Sequence, residues 1–235
     1  MIPLGDNVRS RRLPLVTLLL IGTNLLAFAF ELALGSDAQV FLRDAAVVPA
    51  LYSGGDGRLQ WIEIVAATLQ YELLLRVLLS AFLHGGFLHI LGNMVFLWVF
   101  GQGVEERLGH LPYLGFYLLC GCASMFTHVW AEPRSQMPCI GASGAVAGVL
   151  GAYLVLFPRA RIAILLPLGV VSVPAVVFLT AWFLLQWLSG VEALAAPAAG
   201  AGGPAWWAHV GGFVLGAGGA GLASHSRLRG PMRRR

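Results

Sequence analysis

A chain of 235 residues that is 58% hydrophobic and only 11% charged, with mean hydropathy +0.78, cannot cover its own apolar surface with polar side chains. Soluble domains are nearer a quarter charged, so a soluble globular protein is excluded and lipid is the solvent for most of the chain. Every basic residue is an arginine, placed at the ends and in short loops without interleaved aromatics, so the net charge of +4 reports membrane topology and not nucleic-acid binding.

The first apolar stretch covers 13–34 and follows Arg9, Arg11 and Arg12. It exceeds the roughly 7–15 apolar residues of a cleavable signal and more spans follow it, so a retained helix is expected. Residues 35–85 read as an interfacial loop on the outer side. Within it, Ile62–Leu83 has nearly the apolar character of a span, but Glu63, Glu72 and Arg76 with Gln70 would be expensive in hydrocarbon. An amphipathic segment lying in the interface fits better.

Five further spans are expected at 86–103, 111–131, 140–157, 162–190 and 206–223, all long enough for a bilayer, which requires roughly 20 residues. The Gly/Ala/Pro stretch from Ala196 to Pro204 reads as a flexible loop, and 224–235 as a basic cytoplasmic tail. The fold class is therefore an all-α polytopic membrane protein, one domain of six transmembrane helices. With the N-terminus in the cytoplasm, eleven arginines fall on that side against four (Arg43, Arg58, Arg76 and Arg134) on the other, so both termini are placed inside. Cys120, Cys122 and Cys139 read as free thiols. No metal or other cofactor is expected.

Four polar residues then fall at one depth. His89 and Asn93 lie in the first turns of the second span, on one helix face because they are four apart. Ser143 opens the fourth span and His209 lies in the first turn of the sixth. A hydroxyl and an imidazole in hydrocarbon are costly unless they serve each other or a substrate, and a serine with a histidine base is the minimum for nucleophilic catalysis. Gly144-x-x-x-Gly148 and Gly212-x-x-x-Gly216 start within three residues of these two groups. Such small-residue faces let helix backbones approach closely.

Gly141-x-Ser143-Gly144, Ala208-His209-x-x-Gly212 and His84-x-x-x-x-His89-x-x-x-Asn93 together resemble the motifs of the rhomboid intramembrane serine proteases, and Gly101-x-x-x-Glu105-x-x-x-Gly109 resembles another family motif. The resemblance runs from about Arg76 to Gly216. It implies a rhomboid-like six-helix bundle and a serine endopeptidase that cuts in or next to transmembrane helices of other membrane proteins. Ser143 would be the nucleophile and His209 the base. His89, Asn93, the Ser143 backbone N–H and Gly141 would position substrate and stabilise the oxyanion, with Gly144, Gly148, Gly212 and Gly216 closing the helices together. The loop at 196–204 would cap the site and the fifth helix would act as a lateral gate. Two positions depart from common family patterns. Leu75 precedes Arg76 where many members have tryptophan, and Ala147 stands where some bacterial members have a tyrosine against the histidine.

His84 is read as ordering the first loop, and Glu105 with Arg107 as anchoring a helix end. His110, His128 and His225 find no partner in the sequence. The alternative function is a catalytically silent relative that binds membrane clients. A transporter would spread polar groups through the membrane depth, and a metal site built on His84, His89 and His209 lacks a carboxylate or thiolate partner. The partners expected are a transmembrane-helix substrate and the lipid bilayer, with no nucleic acid. With no Ser-rich, acid-poor transit segment, the expected location is a bacterial inner membrane.

Overall fold

The computed structural model describes residues 2–8, 10–53, 71–167, 169–195 and 204–228. A strand, β1 (Ile2–Asp6), leads into helix α1 (Leu15–Ala33), followed by the short helices α2 (Ala38–Ala45), α3 (Pro49–Tyr52) and α4 (Tyr71–Ser80). The bundle continues through α5 (Phe87–Leu108), α6 (His110–Ala131) and α7 (Ser143–Leu156). Strands β2 (Arg161–Leu166) and β3 (Gly169–Pro174) precede α8 (Ala175–Ala195) and α9 (Trp206–Leu228).

Among the described residues four helices, α1, α5, α6 and α8, are long and apolar enough to cross a membrane. Their outer faces carry Leu19, Leu26, Leu88, Leu111 and Leu188 in the open, which water would not tolerate over such an area and lipid does. Helix α7 differs. Its 14 residues rise only about 21 Å, less than the roughly 30 Å hydrocarbon core, and ten of them are buried. It is the central post of the bundle, with α9 packed on it most extensively.

Glycine makes that contact possible. A β-carbon added at Gly212 would overlap the carbonyl oxygen of Gly144, and one at Gly216 would overlap that of Gly148. The two small-residue faces are thus in backbone contact, and no larger residue fits at either crossing.

The fifth expected span needs correction. Residues 161–174 form a β-hairpin, and the helix begins only at Ala175. Pro167 and Gly169, whose φ is +130°, make the turn, while Val170, Val171 and Val173 favour the extended backbone. Pro174 stands just before the helix, where its missing N–H costs nothing. Strand β2 pairs antiparallel with both β1 (Ile2 with Leu165, Asp6 with Ile162) and β3 (Ile162 with Val173). Its alternate residues Ile162 and Ile164 are buried in the bundle core.

At the same end, Glu105 of α5 is a cap for α1. Its carboxylate accepts the N–H groups of Val16 and Thr17, both at 2.8 Å, and the Thr17 hydroxyl at 2.6 Å. His110 Nδ1 approaches it at 2.5 Å. Helix α1 has no side-chain cap of its own, so another helix satisfies its orphan amides. Of the expected outer loop, 54–70 lies outside the described residues. So do 196–203 of the expected cap and 229–235 of the expected tail. Residues 71–80 of the apolar loop segment are helical.

Candidate active site

Helices α5, α7 and α9 all begin at the end of the bundle opposite Glu105, and their first turns carry the polar residues. Ser143 is the first residue of α7, and His209 lies in the first turn of α9. His209 Nε2 is 2.9 Å from Ser143 Oγ, within the range of a normal hydrogen bond. The glycine crossing of α7 and α9 lies directly below the pair, so close backbone approach sets their separation.

Above the pair lies a cavity of about 1390 Å³, lined by Ser143, His209, His89 and Asn93 together with apolar Phe96, Ile140, Val146 and Trp182. The same lining includes His128, Glu132, Arg134 and Gln136 from α6 and the loop after it. A serine–histidine pair under a largely apolar vault is a setting in which charge separation is poorly screened and directed donors count for more.

The helix start at Ser143 supplies free donors. No side chain caps α7, so the amides of its first turn have no intrahelical acceptor and the helix dipole favours negative charge there. Gly141 precedes it with φ +121°. A β-carbon at Gly141 would stand 2.7 Å from both Cε1 and Nε2 of His89, so only glycine leaves room for that imidazole beside the serine.

Asn93 and His84 form a supporting pair. Asn93 Nδ2 lies 3.0 Å from His84 Nε2, and His84 Nδ1 lies 3.2 Å from the carbonyl oxygen of Phe82. This network assigns His84 the Nδ1–H tautomer, donating to Phe82 and accepting from Asn93. An amide nitrogen has two hydrogens, so one remains for the cavity that Asn93 lines. The backbone N–H of His84 donates to the buried carboxylate of Glu31 in α1 at 3.0 Å. Burial, aided by neighbouring His89, lowers the His84 pKa from 6.5 to about 4, so the ring is neutral near pH 7. His89 packs edge-on against it, with ring centroids 5.1 Å apart.

The histidine also has partners that sequence reasoning missed. Gln186 of α8 places Oε1 2.6 Å from His209 Nδ1. Trp182, one turn earlier, packs on the imidazole at 5.9 Å between centroids, and Trp206 meets it edge-on at 6.3 Å. Ala147 is fully buried within α7, and the aromatic contact to His209 comes from α8 and α9 instead. One signal was available for Gln186: an uncharged but strongly polar side chain inside an apolar span. His128, unassigned from the sequence, lines the cavity with Nδ1 3.8 Å from Glu132 Oε1.

Cys139 also lines the cavity. Burial, with the Glu132 charge nearby, pushes its thiol up to about 12, so it stays protonated and does not compete with Ser143 as a nucleophile. Among the described residues no cluster of three or more histidine, cysteine and acidic side chains is arranged to hold a metal ion.

Comparison with known proteins gives matching results over the same region. Residues 71–225 match the family model described as Rhomboid domain. Rhomboid protein 1, mitochondrial, of Saccharomyces cerevisiae is 37% identical over 35% of this chain and 25% of its own length. RHOMBOID-like protein 5 of Arabidopsis thaliana is 33% identical over 34% of this chain and 26% of its own length. Presenilin-associated rhomboid-like protein A, mitochondrial, of Danio rerio is 33% identical over 44% of this chain and 26% of its own length. The chain thus spans about a quarter of the length of these curated relatives. They overturn the expected bacterial inner membrane with cytoplasmic termini, since two of them are mitochondrial by name. That expectation rests on the missing Ser-rich, acid-poor transit segment, a compositional sign whose absence identifies no membrane, and arginine placement separates the two faces of a membrane without saying which membrane it is.

Proposed function

The chain belongs to the rhomboid family, which includes intramembrane serine proteases, and from that premise we propose that it is a serine endopeptidase acting within the membrane through Ser143 and His209. The single observation that carries this reading is the 2.9 Å approach of His209 Nε2 to Ser143 Oγ beneath the cavity. Ser143 Oγ attacks the scissile carbonyl carbon as its proton passes to His209 Nε2. The carbonyl oxygen becomes an oxyanion, which the Ser143 backbone N–H, the Asn93 side-chain amide and a His89 N–H are placed to receive.

The intermediate collapses as His209 returns the proton to the leaving amine, and an acyl-enzyme remains on Ser143. Water then enters the cavity, loses a proton to His209 and attacks the ester, and the acid product leaves with Ser143 restored. Gly141 keeps the backbone beside the serine open to the substrate chain.

The substrate is a transmembrane helix of another protein, or its juxtamembrane end. A regular helix hides its peptide bonds in its own hydrogen bonds, so cleavage falls where the substrate unwinds. Lipid is the second partner, and neither nucleic acid nor a cofactor enters the reaction.

Labelling of the detergent-solubilised protein with a fluorophosphonate probe tests this, since the probe reacts with an activated serine. The expected outcome is labelling of the native protein and its loss in both Ser143→Ala and His209→Ala. A folded native protein that takes no label overturns the protease reading in favour of a silent, client-binding relative.

A further inference from the structure

We propose that Gln186 is a positioning residue for the Ser143–His209 pair, holding the imidazole in the tautomer that accepts the serine proton. The inference rests on the protease reading above and goes beyond it by adding a third group.

A neutral imidazole has one N–H and one lone pair. His209 Nε2 faces Ser143 Oγ, and it acts as a base only if the lone pair is on that side and the hydrogen is on Nδ1. Which nitrogen holds the hydrogen is set by the partner of the other. Gln186 Oε1 lies 2.6 Å from Nδ1, and an amide oxygen is an acceptor, so it selects Nδ1–H. Once the serine proton has moved, both ring nitrogens are protonated and the same oxygen still receives Nδ1–H.

Three further features fit this role. Gln186 is 8% exposed, so water competes little for its oxygen. Trp182, four residues earlier on the same helix face, packs against the imidazole, so α8 holds the ring both at an edge and on a face. The amide is also neutral. A carboxylate here would also accept from Nδ1, but its buried charge would cost stability in a membrane. A flipped amide would donate to Nδ1 and leave Nε2 protonated, the unproductive state, so the acceptor character of residue 186 is what matters.

The test compares the native protein with Gln186→Met, Gln186→Glu and Ser143→Ala. Fluorophosphonate labelling rates, thermal unfolding and cleavage of a transmembrane substrate are measured for each. Methionine keeps the length and removes the acceptor, and glutamate, read at about pH 8 and above where its carboxyl is ionised, restores an acceptor. Labelling of Gln186→Met is expected to slow by about 10–100-fold, the usual cost of losing a group that orients a histidine. Its kcat is expected to fall with KM held within about twofold, since the loss acts on the chemical step. Gln186→Glu is expected to recover to within about threefold of native, because the bond to Nδ1 is restored.

Native-rate labelling by Gln186→Met overturns the proposal, as does a folded Gln186→Glu that labels as slowly as Gln186→Met. If Gln186→Met does not fold, Gln186→Glu decides alone: labelling retained supports the role and labelling lost overturns it. Failure of the underlying reading looks different, since the native protein would then label no better than Ser143→Ala.

Discussion

Two polar clusters sit in this apolar bundle, roughly 24 Å apart along α5 if His89 and Glu105 mark its ends. At the Glu105 end one buried carboxylate meets three donors of α1 and the His110 ring, next to a void of about 10 Å³. At the Ser143 end the polar groups stand under a cavity of about 1390 Å³. The serine hydroxyl has one side-chain partner there, and the amides of its helix start have no capping side chain. Hydrogen bonds spent inside the protein hold the fold, whereas donors left facing a cavity remain available to a ligand. The contrast separates anchoring from chemistry better than polarity or burial alone.

The largest expected effect that sharpens this contrast is on activity. Ser143→Ala should abolish labelling and substrate cleavage, a loss of several orders of magnitude, with almost no change in the unfolding midpoint. Glu105→Ala should do the reverse. It strands the amides of Val16 and Thr17 with their hydroxyl and imidazole companions, and should cost about 3 kcal/mol in denaturant unfolding. The fraction still folded should label at the native rate. If Glu105→Ala unfolds no more easily than Ser143→Ala, the distinction between the two ends fails.

A smaller effect should reach both properties at once. Gly212→Ala pushes a methyl group into the Gly144 carbonyl and should destabilise by about 1–3 kcal/mol through overpacking. It should also slow labelling, because the crossing sets the serine–histidine distance.

The last effect is a pH dependence. His84 takes up a proton near pH 6.5 when unfolded but only at about 4 when folded, so its contribution to stability is complete above 6.5. It is lost progressively as the pH falls toward 4. His84→Gln should flatten that part of the stability profile, measured by thermal unfolding between pH 7 and 4.

The two clusters were unequally legible in the sequence. Ser143, His209, His89 and Asn93 each lie near a helix start within a short motif, and helix direction alone brings such starts to one level. The paired glycines were legible because a four-residue spacing survives in any straight helix. The hairpin was not. Residues 162–190 are one unbroken apolar run, and periodicity cannot tell a buried strand from a helix within such a run. Only Pro167, Gly169 and Pro174 mark the change. Gln186 showed its polarity inside an apolar span but not its role, which depends on where α8 lies against α9 and which no local pattern records. The bond between His110 and Glu105 escaped for a related reason, since it bridges the turn between two helices at Gly109, where φ is +91°.

The small sheet constrains how this protein is built during translation. Arg161 N donates to the Asn7 side chain across 154 residues of chain, and among the described residues β1 pairs with no strand but β2. At synthesis rates of about 5–20 residues per second, β1 waits roughly 8–30 seconds for β2 to emerge. The Asp6 side chain then meets the Tyr153 hydroxyl, tying β1 to the central post that carries the serine. Sheet closure is therefore a late step in biogenesis, and a ribosome-bound chain stalled before β2 should expose residues 2–6 to protease while the finished protein protects them.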